Sequence, residues 1–270
     1  MVAPAVNSIM RSMLVRTIET RFGPCRVMMR EANGAAPIAL LIHGSGGRAE
    51  IWSPVTGIFR EIAPVAIEMP GHGESRLPFL SSVEDHVFLV EDVRAALAVE
   101  TCVVVGHSLG GATAIQYARD FPQRCHAVVA AGAGPNFIVD LDRVATLEVD
   151  WENSIEHFAR GQVSPDAAPD VLALARTVVR ARDPKALAHD LRICNTFDAS
   201  GWLAKVATPT LVICAYEDRL TPLEGSLVLA RQIAGAVLTV IGPGGHSLML
   251  EHPIRFARAI DAFIESLRTR

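Results

Sequence analysis

The 270 residues read as an α/β protein: a doubly wound, mostly parallel sheet of eight strands, with a helical segment inserted after the sixth. Three observations predict this. Short apolar runs alternate with segments of helical periodicity along most of the chain. Runs such as Pro37–Ile42 and Thr101–Val105 are rich in apolar residues at consecutive positions, the pattern of strands covered on both faces. The alternation then lapses between about Pro135 and Lys205, where helical patterns follow one another without a convincing strand.

Residues 13–20 and 24–31 form an expected hairpin around Phe22-Gly23-Pro24. Strands are expected at Pro37–Ile42, Pro64–Glu68, Thr101–Val105, 126–131, Pro209–Cys214 and Val237–Ile241. Between them, residues 51–61 suit a short helix. Val83, Val87, Val90, Val93 and Leu97 make a helical stripe, and helices are expected at 111–120, 222–233 and Leu248–Leu267. The strandless region carries patterns for helices at Asp142–Arg160, Asp170–Arg182 and Pro184–Ile193. An all-helical insertion in a parallel sheet lies over the strand ends, where ligands bind. Residues 135–205 are therefore expected to be a cap, or lid, on a core of residues 1–134 and 206–270; the alternative is that these helices merely enlarge the surface.

Composition narrows the function classes. Hydrophobic residues make up 50% and charged residues 20%, a globular balance. A net charge of −4 offers no basic face for nucleic acid or anionic lipid. No apolar run approaches a bilayer span. The apolar start, Met1 to Met13, is broken by Pro4, Asn7, Ser8 and Arg11 and lacks a compact signal-peptide core. Five scattered cysteines without C-x-x-C spacing suggest free thiols and a cytoplasmic location. Oligomeric state is left open.

The chemistry concentrates at Gly106-His107-Ser108-Leu109-Gly110-Gly111, directly after an apolar strand and before a helix. In this G-x-S-x-G turn, side chains at Gly106 or Gly110 would strike backbone. The serine must hold a strained φ/ψ, which lifts its hydroxyl clear of the sheet. The Leu109 N–H, at the start of the helix, is then a donor for a developing oxyanion.

Four further motifs accompany it: His43-Gly44-Ser45-Gly46-Gly47, Pro70-Gly71-His72-Gly73-Glu74-Ser75, Tyr216-Glu217-Asp218 and Gly244-Gly245-His246. With them the chain resembles, over nearly its whole length, the α/β-hydrolase fold family in its serine-hydrolase, esterase-like branch. That resemblance implies Ser108 as nucleophile, His246 as the base that takes and returns its proton, and Asp218 as the acid that orients the imidazole. Glu217, adjacent to Asp218, is the competing acid. It also implies a second oxyanion donor at Ser45 N–H, with Gly46 N–H as competitor. His43, Gly44 and His107 are placed around the substrate pocket, His43 as a brace of the oxyanion loop and His107 as structural or pocket-lining.

Other features receive plainer readings. His72 belongs to a Gly-His-Gly turn that shapes the sheet edge, and His252 lies on the final helix. Trp151, Phe158 and Trp202 are first of all core residues. With no H-x-x-x-H, H-E-x-x-H or G-x-G-x-x-G, no metal and no cofactor is expected. The expected reaction is hydrolysis of a small carboxylic ester, lactone or thioester through a Ser108 acyl-enzyme. A C–C bond hydrolase of aromatic-degradation products, or a receptor that keeps the triad, is the alternative.

Overall fold

The computed structural model describes residues 13–30 and 36–268; most of the N-terminal stretch discussed above, residues 1–12, and the end of the second strand at Glu31 lie outside the described residues. Eight strands form one sheet: β1 Leu14–Thr20, β2 Gly23–Met29, β3 Ile38–Ile42, β4 Ala63–Ile67, β5 Cys102–His107, β6 Cys125–Ala131, β7 Thr210–Ala215 and β8 Val237–Ile241. Their spatial order is β1-β2-β4-β3-β5-β6-β7-β8. The β1–β2 and β2–β4 pairs are antiparallel and the remaining pairs parallel, so the sheet is mostly parallel as expected.

The consecutive apolar residues of the central strands serve two cores. Leu40, Ile42, Val104, Val128, Ala130 and Val212 face one side, packed with helices Val83–Ala96, Leu109–Asp120 and Leu223–Gln232. Ala39, Leu41, Val103, Val105, Val129 and Ile213 face the other, packed with Trp52, Val55 and helix Pro253–Arg268. Side chains alternate across a strand, so a strand covered on both faces must be apolar throughout. From β3 the chain moves outward to β4, then returns to the other side of β3 as β5. This reversal opens a crevice at the C-terminal ends of β3 and β5, the place where such sheets bind ligands.

Between β6 and β7 lie four helices, Leu141–Thr146, Trp151–Gln162, Pro169–Arg180 and Pro184–Cys194. The first two replace the single expected helix Asp142–Arg160. Val144 and Leu147 pack on Leu187 and Ala188, whereas Ile155 and Ala159 pack on Ala175 and Val179. Trp151 and Phe158 of the second helix pack on both clusters and join them. An isolated antiparallel bridge, Asn136 to Asp198, ties the two ends of the segment together.

Two further expectations shorten. In place of a helix over 51–61, a 3₁₀ turn at Ala49–Trp52 runs into a single turn at Ser53–Thr56. The last helix is divided into Leu248–Glu251 and Pro253–Arg268, because Pro253 has no N–H to continue the first and starts the second. His252 therefore sits in the break rather than on the final helix, its Nε2 paired with the Pro243 carbonyl at 2.5 Å.

The tightest point of the fold is the turn after β5. A Cβ at Gly106 would lie 1.8 Å from the Gly110 carbonyl oxygen, and one at Gly110 would lie 2.3 Å from that of Ile42. Gly106→Ala is expected to destabilise the protein by about 2 kcal/mol or more, read as a shift of the denaturant midpoint. Gly201→Ala, where nothing lies within 4 Å of the new methyl, should stay within about 0.5 kcal/mol of the parent.

Candidate active site

Ser108 stands between β5 and the helix Leu109–Asp120 with φ 56° and ψ −119°, the left-handed strain expected of the turn. Its N–H is tied to the Ala131 carbonyl at 2.8 Å, which fixes the turn against β6. Ser108 opens on a cavity of about 610 Å³ under the helices inserted after β6. The same cavity is lined by His43, Gly44, Ser45, His107, Thr221 and His246. The crevice of the sheet, the elbow and the glycine-rich loop after β3 thus converge on one space.

His246, carried by the loop after β8, is buried, and its Nδ1 pairs with Asp218 Oδ2 at 2.8 Å. The partner is Asp218 and not Glu217, whose Oε2 accepts the Gly244 N–H at 3.1 Å instead. Asp218 Oδ1 accepts the Leu220 and Thr221 N–H groups, each at 2.9 Å, and Oδ2 accepts the Thr221 hydroxyl at 2.7 Å. Burial alone would push this carboxyl up. The charge and hydrogen bond of His246, with the Thr221 donors, more than offset it and hold Asp218 below the ordinary carboxylate range. Acceptance of Nδ1–H by Asp218 leaves His246 Nε2 as the free ring nitrogen. Among the described residues Nε2 makes no hydrogen bond to the Ser108 hydroxyl, and the two residues share the cavity.

One of the expected oxyanion donors is engaged by a residue of the inserted segment. Asp190, on helix Pro184–Cys194, accepts the Gly46 N–H at 2.8 Å, so that amide already has an acceptor. Among the described residues the Ser45 and Leu109 N–H groups have no acceptor, and Ser45 lines the cavity beside Ser108. Gly44 lets the loop approach: a Cβ there would lie 2.9 Å from Ser108 Cβ.

The neighbouring histidines hold loops. His43 Nδ1–H donates to the Gly44 carbonyl at 2.9 Å and Nε2 accepts the Met69 N–H at 3.2 Å. Burial, with the nearby His72 charge, pushes it down to about 3, so it is neutral. His107 Nε2–H donates to the backbone carbonyl of His246 at 3.0 Å, and the two rings lie 4.5 Å apart. Burial first, then the His246 ring, push His107 well below its ordinary value. A neutral His107 thus steadies the His246 loop without adding charge to it.

His72 corrects the expectation of a turn that merely shapes the sheet edge. Its Nε2 donates to Asp190 Oδ2 at 2.9 Å and its Nδ1 pairs with the Pro70 carbonyl at 3.0 Å. Two acceptors on one ring favour the imidazolium. Burial opposes the charge, but Asp190 outweighs it and raises His72, while His72 helps draw Asp190 down to about 2. The motif reading missed Thr221, Asp190 and Gln162. Gln162 accepts the Ser247 hydroxyl at 2.7 Å, and its backbone carbonyl accepts the Ser247 N–H at 2.7 Å, immediately beside His246. Of Trp151, Phe158 and Trp202, Phe158 lines the cavity, and Phe137 of the same segment lines it as well. Among the described residues no three His, Cys, Asp or Glu side chains are grouped so as to hold a metal ion, and no helix is long and apolar enough to cross a membrane.

A crevice at the strand reversal, a strained serine elbow and a buried carboxylate–imidazole pair define a class that comparison confirms. The chain belongs to the alpha/beta hydrolase family, whose sequence model matches residues 39–259. It is 26% identical over 256 residues to a putative carbamate hydrolase, RutD, of Pseudomonas syringae pv. syringae, across 86% of this chain and 95% of that protein. It is also 26% identical over 249 residues to the pimeloyl-[acyl-carrier protein] methyl ester esterase of Nitrosomonas europaea, across 86% of this chain and 97% of the relative. Among solved structures, a hydrolase from Pseudomonas aeruginosa superposes with a TM-score of 0.81 at 25% identity, covering 93% of this chain and 98% of that one.

The Asp190–His72 pair gives a pH-dependent expectation. A raised His72 stabilises the fold fully below its unfolded pKa near 6.5, and that contribution fades as pH rises through the folded value. A depressed Asp190 contributes above about 3.9, and its share fades as pH falls towards about 2. The pair is therefore strongest between about pH 4 and 6.5. Asp190→Asn should cost about 3 kcal/mol in that window and less at pH 9, measured by urea denaturation at both.

Proposed function

We propose that this protein is a serine hydrolase that cleaves a small carboxylic ester, with lactones and thioesters open to the same chemistry. The Asp218–His246 pair at 2.8 Å, set on the cavity onto which the strained Ser108 opens, carries the reading. In this mechanism Ser108 Oγ attacks the acyl carbonyl as His246 Nε2 removes the hydroxyl proton. Asp218 holds Nδ1–H, keeps the productive tautomer and stabilises the imidazolium. The Ser45 and Leu109 N–H groups receive the negative charge that develops on the carbonyl oxygen. Collapse of the tetrahedral species expels the alcohol, to which His246 returns the proton. Water, deprotonated by His246, then attacks the acyl-enzyme, frees the acid and restores the serine.

The relatives support the reaction class: one is named for carbamates and another for a methyl ester. Helices within residues 135–205 serve as a cap domain over the reacting groups of the core. Small acyl compounds are the partners this cavity suits, and the cysteines, all free and buried, suit a reducing, cytoplasmic setting.

A fluorophosphonate should label Ser108, and Ser108→Ala should lose at least about 10⁴-fold in kcat on a chromogenic acyl ester while keeping its unfolding transition. Labelling that maps to another serine, or activity that survives the substitution, overturns the mechanism. Asp218→Asn should lower kcat far more than Glu217→Gln, assayed side by side on that ester; the opposite ranking reassigns the acid.

A further inference from the structure

Arg182 lies in the turn after helix Pro169–Arg180 and lines the cavity that Ser108 and His246 share. Its Nη2 donates to Gln162 Oε1 at 3.1 Å, while its Nε is buried with no acceptor. Among the described residues no carboxylate reaches the guanidinium as an ion-pair partner. Water can touch part of it within the cavity, yet protein surrounds it, and burial pushes it down to about 10 despite the pull of Asp190.

Nearby acids are already taken. Asp190 is held by His72 and Gly46, and Asp218 by His246 and Thr221. Arg48, Arg143 and Arg219 also line the cavity, against Glu50 and Asp140. Glu50 is paired with Arg26 and Arg48, and Asp140 accepts the Arg143 N–H. The space over the serine is therefore positive and contains a desolvated cation whose planar fork lacks its counter-ion. Removing a charge from water without a partner is costly, and a fork of this kind matches a carboxylate through two parallel hydrogen bonds.

We infer that Arg182 is a specificity-determining residue that binds a free carboxylate carried by the substrate, so that the preferred esters of this cavity are half-esters rather than neutral esters. The inference rests on the hydrolase reading of the same cavity. The Gln162 oxygen that holds Arg182 also accepts the Ser247 hydroxyl at 2.7 Å, so the anion site is joined to the residue next to His246.

The test compares monomethyl with dimethyl esters of succinate, glutarate and adipate, followed by acid release. At the best chain length the half-ester should show a kcat/KM about tenfold or more above its diester, mainly through KM. Arg182→Gln should lose about tenfold more on the half-ester than on the diester, and Arg182→Lys, which keeps the charge but not the fork, should retain part of the preference. A wild-type preference for the diester at every chain length overturns the inference, as does an equal loss on both esters in Arg182→Gln. Should that variant fail to fold, the wild-type comparison and Arg182→Lys decide. Diester turnover without half-ester preference leaves the hydrolase reading intact; no turnover of either ester together with no phosphonate labelling of Ser108 overturns that reading and this inference with it.

Discussion

Everything at this site depends on a backbone crossing that admits no side chain. Gly106, at the end of β5, faces Gly110 in the first turn of the following helix, and Gly110 in turn lies against the Ile42 and His43 carbonyls at the end of β3. This contact draws the serine turn and the glycine-rich loop together, which is why Ser45 and Ser108 come to border one space. The strain stored at Ser108, of the order of 1–3 kcal/mol, persists because two apolar cores clamp the strands that carry it. Sheet burial and site geometry are therefore one problem: the first supplies the rigidity that the second uses.

The helices between β6 and β7 do more than line the cavity. They grip both loops on which the proposed chemistry relies. Asp190 takes the Gly46 N–H and His72 on one side, while Gln162 holds Ser247 on the other. Glu251 links the two halves again, accepting Ser164 N–H at 3.0 Å and Gly245 N–H at 2.6 Å. Such buried polar contacts fix position more sharply than apolar packing does, because an unpaired group in their place is costly. These helices thus line the cavity and hold the loops around it, so in the proposed mechanism a change in them alters the reacting groups as well as the shape of the pocket.

Much of this was legible in the chain because strand ends and tight turns leave local marks. Consecutive apolar runs located the strands within a residue or two, and glycines on either side of Ser108 announced the elbow. Proline after His252 also carried a readable stop, although the long periodic pattern from Leu248 masked it. The break after Thr146 left no comparable mark in the periodic pattern over Asp142–Arg160. The same limit applies at the site. Asp190 lies 144 residues from Gly46, so no local pattern could show which loop amide it would claim. Thr221 could have been found: an aspartate followed three residues later by threonine is the spacing of a local side-chain cap, which Asp218 and Thr221 form. His72, read within its turn alone, gave no hint of a partner on a distant helix.

Two enclosed cations, His72 in the turn after β4 and Arg182 in the inserted segment, show how one fold can separate structure from recognition. His72 and Asp190 satisfy each other, so their charges cancel locally and their effect is to lock loops. Arg182, close enough to Asp190 and His107 to influence both, has no such partner and leaves a positive field over the serine. In the proposed mechanism a second positive charge forms on His246 as the serine attacks, and an uncompensated guanidinium opposes it. A substrate carboxylate seated on Arg182 cancels that opposition before the imidazolium appears. The carboxylate stays on Arg182 from the bound complex to the transition state, so the contact itself is read mainly in KM, with only the relief of that opposition added to kcat.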